Sequence, residues 1–229
     1  MLDFKFDNVQ KMSFCDIKKL ELVNNGDVGS SSKVYKLNDK ECIKLFNESK
    51  DIFELKRYSE YTKLDFSCAA LPKTLYLINN KFRAVKTDFV NGIMLSEIDC
   101  EIEYSKFIIL SKQLLDASKE INEEGIMIFD SHSDNIMYNY DEDKFVLIDQ
   151  GEWSQHRVDT LYASTMNFRI LHDTIRSVLF KNAFSIGNQK KSFDIDGDFI
   201  DYYEIEREIL QRKTGQKIKT IGDFRKAIR

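Results

Sequence analysis

The sequence predicts an α+β fold in two parts: a small antiparallel β-rich part with one helix, then a larger, mainly helical part. Three observations carry this. Residues 20–46 alternate short apolar strands with turn signals: "KLELV", "NNGDVGSSS", "KVYKL", "NDK" and "ECIKLF". Past residue 104 the apolar spacing becomes helical. The character changes at the Asn91-Gly92 turn signal, so the boundary is read as 1–90 and 91–229.

Within the first part, a helix is expected over about 49–63, charged on one face. "KTLYLI" and "FRAVKTDFV" read as a hairpin with Asn79-Asn80 at its tip. In the second part, Phe107, Leu110, Leu114, Ala117 and Ile121 give a helix over 104–122. Two buried strands are expected around "DSHSDN", the second followed by a "DEDK" turn and the strand "FVLID". Phe168, Leu171, Ile175 and Val178 step along another helix, and two more are expected from about 198. A cleft is expected where the two parts meet.

The 229 residues are 42% hydrophobic, enough to bury a core in two small lobes. A net charge of −4 gives no general electrostatic reason to expect nucleic acid as a partner. The sign is uneven: residues 212–229 hold seven Lys/Arg against Asp223 alone, leaving −10 for residues 1–211. That basic stretch reads as a solvated helix face or as a dock for an anion or activating partner. Cys15, Cys42, Cys68 and Cys100 are widely spaced, with no CxxC pair, so free thiols in a reducing compartment are expected. No secretory signal opens the chain, and no apolar run reaches the roughly 18 residues of a membrane span, so a cytoplasmic location is expected.

Three segments carry chemistry. The small-residue turn with Asp27, Gly29, Ser30, Ser31 and Ser32 would let backbone N–H groups approach phosphate, and Lys44 on the next strand could reach the same phosphates. Taken alone, these are an ordinary hairpin and a surface lysine. The second segment, "FDSHSDNIM", sets Asp130 and Asn135 five residues apart between apolar runs. A carboxylate there can accept a hydroxyl proton, and an amide oxygen can ligate a cation; the competing reading is an Asx-rich turn. The third is "FVLIDQG". A carboxylate where an apolar strand emerges is costly unless paired or metal-bound, which suits Asp149 to Mg²⁺ with phosphates.

In this order, the segments resemble the protein kinase superfamily: glycine-rich loop, strand lysine, helix glutamate, D-x-x-x-x-N and D-x-G, over roughly residues 20–180. The resemblance implies a bilobal kinase-like fold with a reduced helical lobe, ATP as cofactor, and Mg²⁺, with Mn²⁺ as a substitute metal. It implies that Gly29, Ser30, Ser31 and Ser32 form the phosphate loop, and that Val34, Cys42 and Met137 line the adenine. Lys44 would bind the α/β phosphates and pair with Glu54, Glu48 and Glu60 being rivals. Thr87 would be the gatekeeper, and the Asp88 and Val90 backbones would face adenine. Asp130 would be the base, and Asn135 and Asp149 the metal ligands.

Departures shape the reading. Phe129 stands where regulated kinases carry arginine, His132 replaces a lysine, Gln150 replaces a phenylalanine, and no Ala-Pro-Glu signature follows. Asp173 is the candidate brace of the catalytic loop, with a plain surface acid as the alternative. His156 and His172 lack metal-ligand spacing, and Trp153 reads as packing. The chain is similar to compact bacterial effector kinases acting on host proteins, which would put it in the host-cell cytoplasm. The "D-x-H-x-x-N" loop is also like that of aminoglycoside and choline kinase-type phosphotransferases. A minimal protein kinase with a protein substrate is the leading expectation. A small-molecule phosphotransferase and a nucleotide-binding pseudokinase scaffold are the alternatives.

Overall fold

The computed structural model describes residues 8–24, 32–100, 102–154, 157–180 and 198–228. The fold class is α+β, and the chain divides into two compact units, Met1–Val90 and Asn91–Arg229.

The first unit contains β1 (Val9–Lys11), α1 (Phe14–Ile17), β2 (Glu21–Asn24), β3 (Ser32–Lys36), β4 (Glu41–Lys50), α2 (Ile52–Tyr61), β5 (Thr74–Ile78) and β6 (Lys81–Asp88). The strands form one sheet in the order β1-β5-β6-β4-β3-β2. The wholly antiparallel sheet expected from sequence is corrected, because β1 pairs parallel to β5, Val9 opposite Leu75. Three residues are too few to show an alternation. Asn79 and Asn80 close the β5–β6 hairpin at φ 52° and 59°, the left-handed pair a two-residue turn favours.

Alternation along β4 sends its side chains to two cores. Ile43 and Leu45 pack with Ile17, Tyr76, Ile78 and Ala84. On the other face Phe46 packs with Leu55 and Tyr58 of α2 and with Leu75, Phe82 and Val85. Phe46, Tyr58 and Phe82 meet edge-on at centroid distances of 5.5–5.7 Å. Each such pair adds about 0.5–1.5 kcal/mol beyond area burial. Asp51 starts α2 through a capping box, accepting from Glu54 N while the Glu54 side chain accepts from Asp51 N.

The second unit contains β7 (Gly92–Met94), α3 (Tyr104–Ala117), α4 (Lys119–Glu123), β8 (Ile136–Asn139), β9 (Lys144–Leu147), α5 (Thr160–Leu179), α6 (Asp198–Thr214) and α7 (Ile221–Ala227). Strands β7-β8-β9 form an antiparallel sheet. Asn91-Gly92, read as a turn, leads directly into β7. A Cβ on Gly92 would lie 1.8 Å from the Tyr138 carbonyl oxygen, so only glycine permits this approach. The single helix expected over 104–122 is two, α3 and α4, broken at Ser118, whose hydroxyl donates to Leu115 O at 2.7 Å. Residues 126–128, read as a strand, make only an isolated bridge, Ile128 to Trp153.

The reading of the basic C-terminal stretch as a solvated helix face is corrected for α7, which is part of the core. Ile221 and Phe224 are fully buried, and Phe224 stacks on Tyr104 with centroids 5.0 Å apart. Arg225 is buried, with Nε donating to Val178 O at 2.8 Å and Nη1 to Ile98 O and Asp99 Oδ1, both at 3.1 Å. Lys213, Lys217, Lys219 and Lys226 remain exposed. Among the described residues, no helix is long and apolar enough to cross a membrane.

Candidate active site

In the first unit, strand register assembles one set of candidates. Val34, Lys44 and Val85 are directly opposite one another across β3, β4 and β6, as are Lys36, Cys42 and Thr87 in the next row. With Ser32 opposite Phe46, this puts Ser32, Val34, Cys42, Lys44 and Thr87 on the sheet face that packs against α2. Gly29, Ser30 and Ser31, with Asp27, lie outside the described residues.

The Thr87 hydroxyl is buried and shared between the carbonyls of Ala70 (2.8 Å) and Leu71 (2.9 Å), tying β6 to the preceding loop. Burial, reinforced by the nearby Asp88 charge, pushes the Cys42 thiol up to about 12. The Cys42 thiol is thus held protonated, and its Sγ–H donates to Asp88 O at 3.5 Å. The Asp88 side chain pairs with Lys73, and Val90 is buried.

One expected pairing is corrected. The Glu54 carboxylate, assigned from sequence to Lys44, lies 3.1 Å from Lys50 Nζ and 3.6 Å from Arg57 Nη2, in addition to its role in the capping box. A residue at the third helical position is drawn back to the N-terminus, where its charge also favours the helix dipole.

In the second unit, the loop between Asp130 and Asn135 is closed on itself. Residues Ser133–Asn135 form a turn of 3-10 helix capped by His132, whose Nδ1 accepts from Asp134 N at 3.2 Å. The Asn135 amide Nδ2 donates to Asp130 O at 2.6 Å and lies 3.5 Å from Asp130 Oδ2. His132 Nε2 is 3.7 Å from Asp130 Oδ1 and 3.2 Å from Asn135 Nδ2. The Asp130 side chain is half exposed, open to an incoming group.

The β8–β9 hairpin joins this loop to Asp149. Ile136 is opposite Leu147, and Ile148 N donates to Asn135 O at 3.0 Å, so Asp149 leaves the sheet where Asn135 enters it. Asp149 Oδ1 accepts from Gly151 N at 2.9 Å, and Trp153 and Ser154 then fold back along Met127 and Ile128. Half-buried Met137 lies between Met94 and Val146 across the sheet.

The brace of the loop is not Asp173, whose side chain is 64% exposed. Two other α5 residues, seven apart and so on one face, do this work. Asn167, fully buried, accepts from Ile128 N at 2.8 Å and donates to Ile126 O and Asn122 Oδ1, both at 2.7 Å. Thr174 Oγ1 donates to Ser131 O. Neither carried a sequence signal, since a lone polar residue on an amphipathic helix reads as surface. His172 is buried against Phe168, Phe199 and Tyr203, a packing role, and Trp153 is buried; His156 lies outside the described residues.

The donor set fits a magnesium ion. With Asn135 Nδ2 committed to Asp130 O, the Oδ1 of that amide would be the oxygen offered to the ion, and Asp149 would supply a carboxylate. Among the described residues, no group of three or more His, Cys, Asp or Glu could hold a metal. Two hard oxygens completed by phosphates and water are what magnesium commonly takes. No protein-family model matches the chain, and no curated protein matches it.

Proposed function

We propose that the protein is an ATP-dependent phosphotransferase of protein-kinase-like, bilobal type, acting as a minimal protein kinase. The observation that carries this is the closed Asp130–Asn135 loop, coupled through hairpin register to Asp149. An Asx-rich turn of purely structural use has no need of a second carboxylate at the same end of the sheet.

In this reading the acceptor hydroxyl oxygen bonds to the γ-phosphorus as the bond to the β–γ bridging oxygen breaks. Asp130 takes the hydroxyl proton, and ADP leaves. Lys44 holds the α/β phosphates as a point charge. The sequence resemblance assigns Gly29, Ser30, Ser31 and Ser32 to the phosphates, and Val34, Cys42, Thr87 and Met137 with the Asp88 and Val90 backbones to adenine; of these Gly29, Ser30 and Ser31 lie outside the described residues. Asn135 and Asp149 would hold Mg²⁺, which when bound neutralises charge on the phosphates. Positioning and charge stabilisation supply most of the acceleration.

Glu54 is left out of the phosphate machinery, since its partners are Lys50 and Arg57. Phe129 before the base removes control by loop phosphorylation, so activity is constitutive or partner-dependent. His132 favours a second reading, transfer to a small-molecule hydroxyl. Incubation with γ-labelled ATP, Mg²⁺ and a cell lysate separates the two. Label in protein supports the kinase; label only in small molecules supports the second reading. Nucleotide bound without any transfer means a scaffold.

A further inference from the structure

Helix α6 is fastened to α3 by one face only. Its Phe199 and Tyr203 are buried, the Tyr203 carbonyl accepts from Tyr104 Oη at 2.9 Å, and Arg207 Nη1 donates to Ser105 Oγ at 2.6 Å. On the opposite face Ile205 is 55% exposed and Ile209 39%, one turn apart. Half-buried Tyr202 precedes them and exposed Arg212 follows, so the steps are three, four and three residues, the spacing of a helix seam. A single exposed isoleucine needs no explanation, but a seam on a helix already anchored by its other face does. Charge is graded along this seam. Exposed Asp201 stands at its N-terminal end, and exposed Arg212 and Lys213 at its C-terminal end. Arg212 lies 3.2 Å from Glu208, whereas among the described residues neither Asp201 nor Lys213 has an ion pair.

We infer that this face of α6 is a self-association surface, and that its occupant is a second copy of the chain, packed antiparallel through α6 about a two-fold axis. A crossing point midway between Ile205 and Ile209 sets Ile205 level with the partner's Ile209, and Ile209 level with the partner's Ile205. The same register sets Tyr202 level with the partner's Arg212, a cation beside an aromatic ring, and Asp201 level with the partner's Lys213. Each contact occurs twice, as an isologous interface requires. A parallel pair would set Asp201 against Asp201 and Lys213 against Lys213, so the charges select the antiparallel orientation. A uniformly acidic or basic partner would match one end of the seam and be repelled by the other, whereas the same helix reversed matches both. The apolar centre and charged ends give the anatomy of a small interface, a dry middle with a polar rim. The inference stands independently of the phosphotransferase reading, and its test needs no activity.

The experiment is sedimentation velocity on the full chain, loaded from about 2 to 200 μM, with the thermal midpoint recorded for each variant. So short a seam predicts a weak dimer, with a dissociation constant on the order of 10–100 μM. Ile205→Lys and Asp201→Lys should each weaken it at least about tenfold, since each places like charge or an unpaired charge at two symmetric positions. Both variants should unfold like the wild type, because the replaced side chains are exposed. Combining Asp201→Lys with Lys213→Glu exchanges the charges, and should return the dissociation constant to within about threefold of wild type. Leu161→Lys, at a 75% exposed apolar residue of α5, should leave the dimer unchanged. A wild type that stays monomeric across the range, a dimer untouched by Ile205→Lys, or equal weakening by Leu161→Lys overturns the inference. A charge exchange that associates no more tightly than Asp201→Lys alone overturns the antiparallel register, and the inference with it.

Discussion

The side-chain nitrogen of Asn135 lies 2.6 Å from the backbone carbonyl oxygen of Asp130, five residues earlier. This bond sets the two residues' roles. It leaves the amide oxygen as the atom that would ligate Mg²⁺ under the proposed function, and it fixes the backbone from which the proposed base Asp130 projects. Replacing Asn135 with Asp should retain a metal ligand but substitute a second acceptor for the donor, opening the loop. A loss of about 100-fold in transfer is expected, within the range for a displaced general base. Wild-type kinetics in Asn135→Asp would remove the bond from the account.

Asp149→Ala tests the metal arm. It should abolish the Mg²⁺-dependent part of nucleotide binding, read by titrating a fluorescent ATP analogue with and without Mg²⁺. Equal Mg²⁺ dependence in wild type and variant would exclude Asp149 as a ligand.

The buried Asn167 predicts a stability effect. Asn167→Leu deletes three hydrogen bonds and strands Ile128 N, Ile126 O and the Asn122 side chain. A loss of about 2–4 kcal/mol is expected from unsatisfied buried groups, measured by urea unfolding. Asp173→Asn should unfold like the wild type, because that carboxylate is mostly exposed.

How far these residues were legible in the sequence follows from their kind. Asp130, Asn135 and Asp149 stand out because polar groups interrupt apolar runs, and strand register then brings them together. Asn167 interrupts nothing, since helix α5 tolerates a polar residue on any face until the packing partner is known. Glu54 was misassigned because an acid in the first turn of a helix serves equally well as a cap. Parallel pairing of β1 was hidden by its three-residue length. Phe224 and Arg225 were masked by the lysines around them, which gave the segment the charge of a solvated face.

That last point yields a further prediction. Removing residues 212–229 takes Ile218, Ile221 and Phe224 out of the core and should prevent folding of the second unit. Phe224→Ala alone should cost about 3–5 kcal/mol, the usual range for a buried aromatic. By contrast, charge reversal at exposed Lys213 and Lys217 should leave the unfolding midpoint unchanged. Folding of the truncated chain with a native midpoint would contradict the core assignment of α7.

His172 predicts a pH effect on stability. Burial among Phe168, Phe199 and Tyr203 lowers its pKa below the ordinary 6.5, outweighing the opposite pull of Asp173, while Arg176 acts in the same direction as burial. The unfolded chain then binds the proton more readily, so stability rises with pH across this window. The contribution is fully present above about 6.5 and is lost as pH falls from there toward the folded-state value. In His172→Phe, urea midpoints between pH 7 and 5 should fall less than in the wild type. Parallel pH curves would show that the imidazole stays uncoupled from folding.

The most direct measurement of the central claim is phosphoryl transfer from γ-labelled ATP by the wild-type chain and by Asp130→Ala, with nucleotide binding measured on the same samples. The account predicts Mg²⁺-dependent transfer by the wild type. It also predicts a loss of about 100-fold or more in Asp130→Ala, as for removal of a general base, with nucleotide affinity unchanged. Equal transfer by the two proteins, or no nucleotide binding by either, would contradict it.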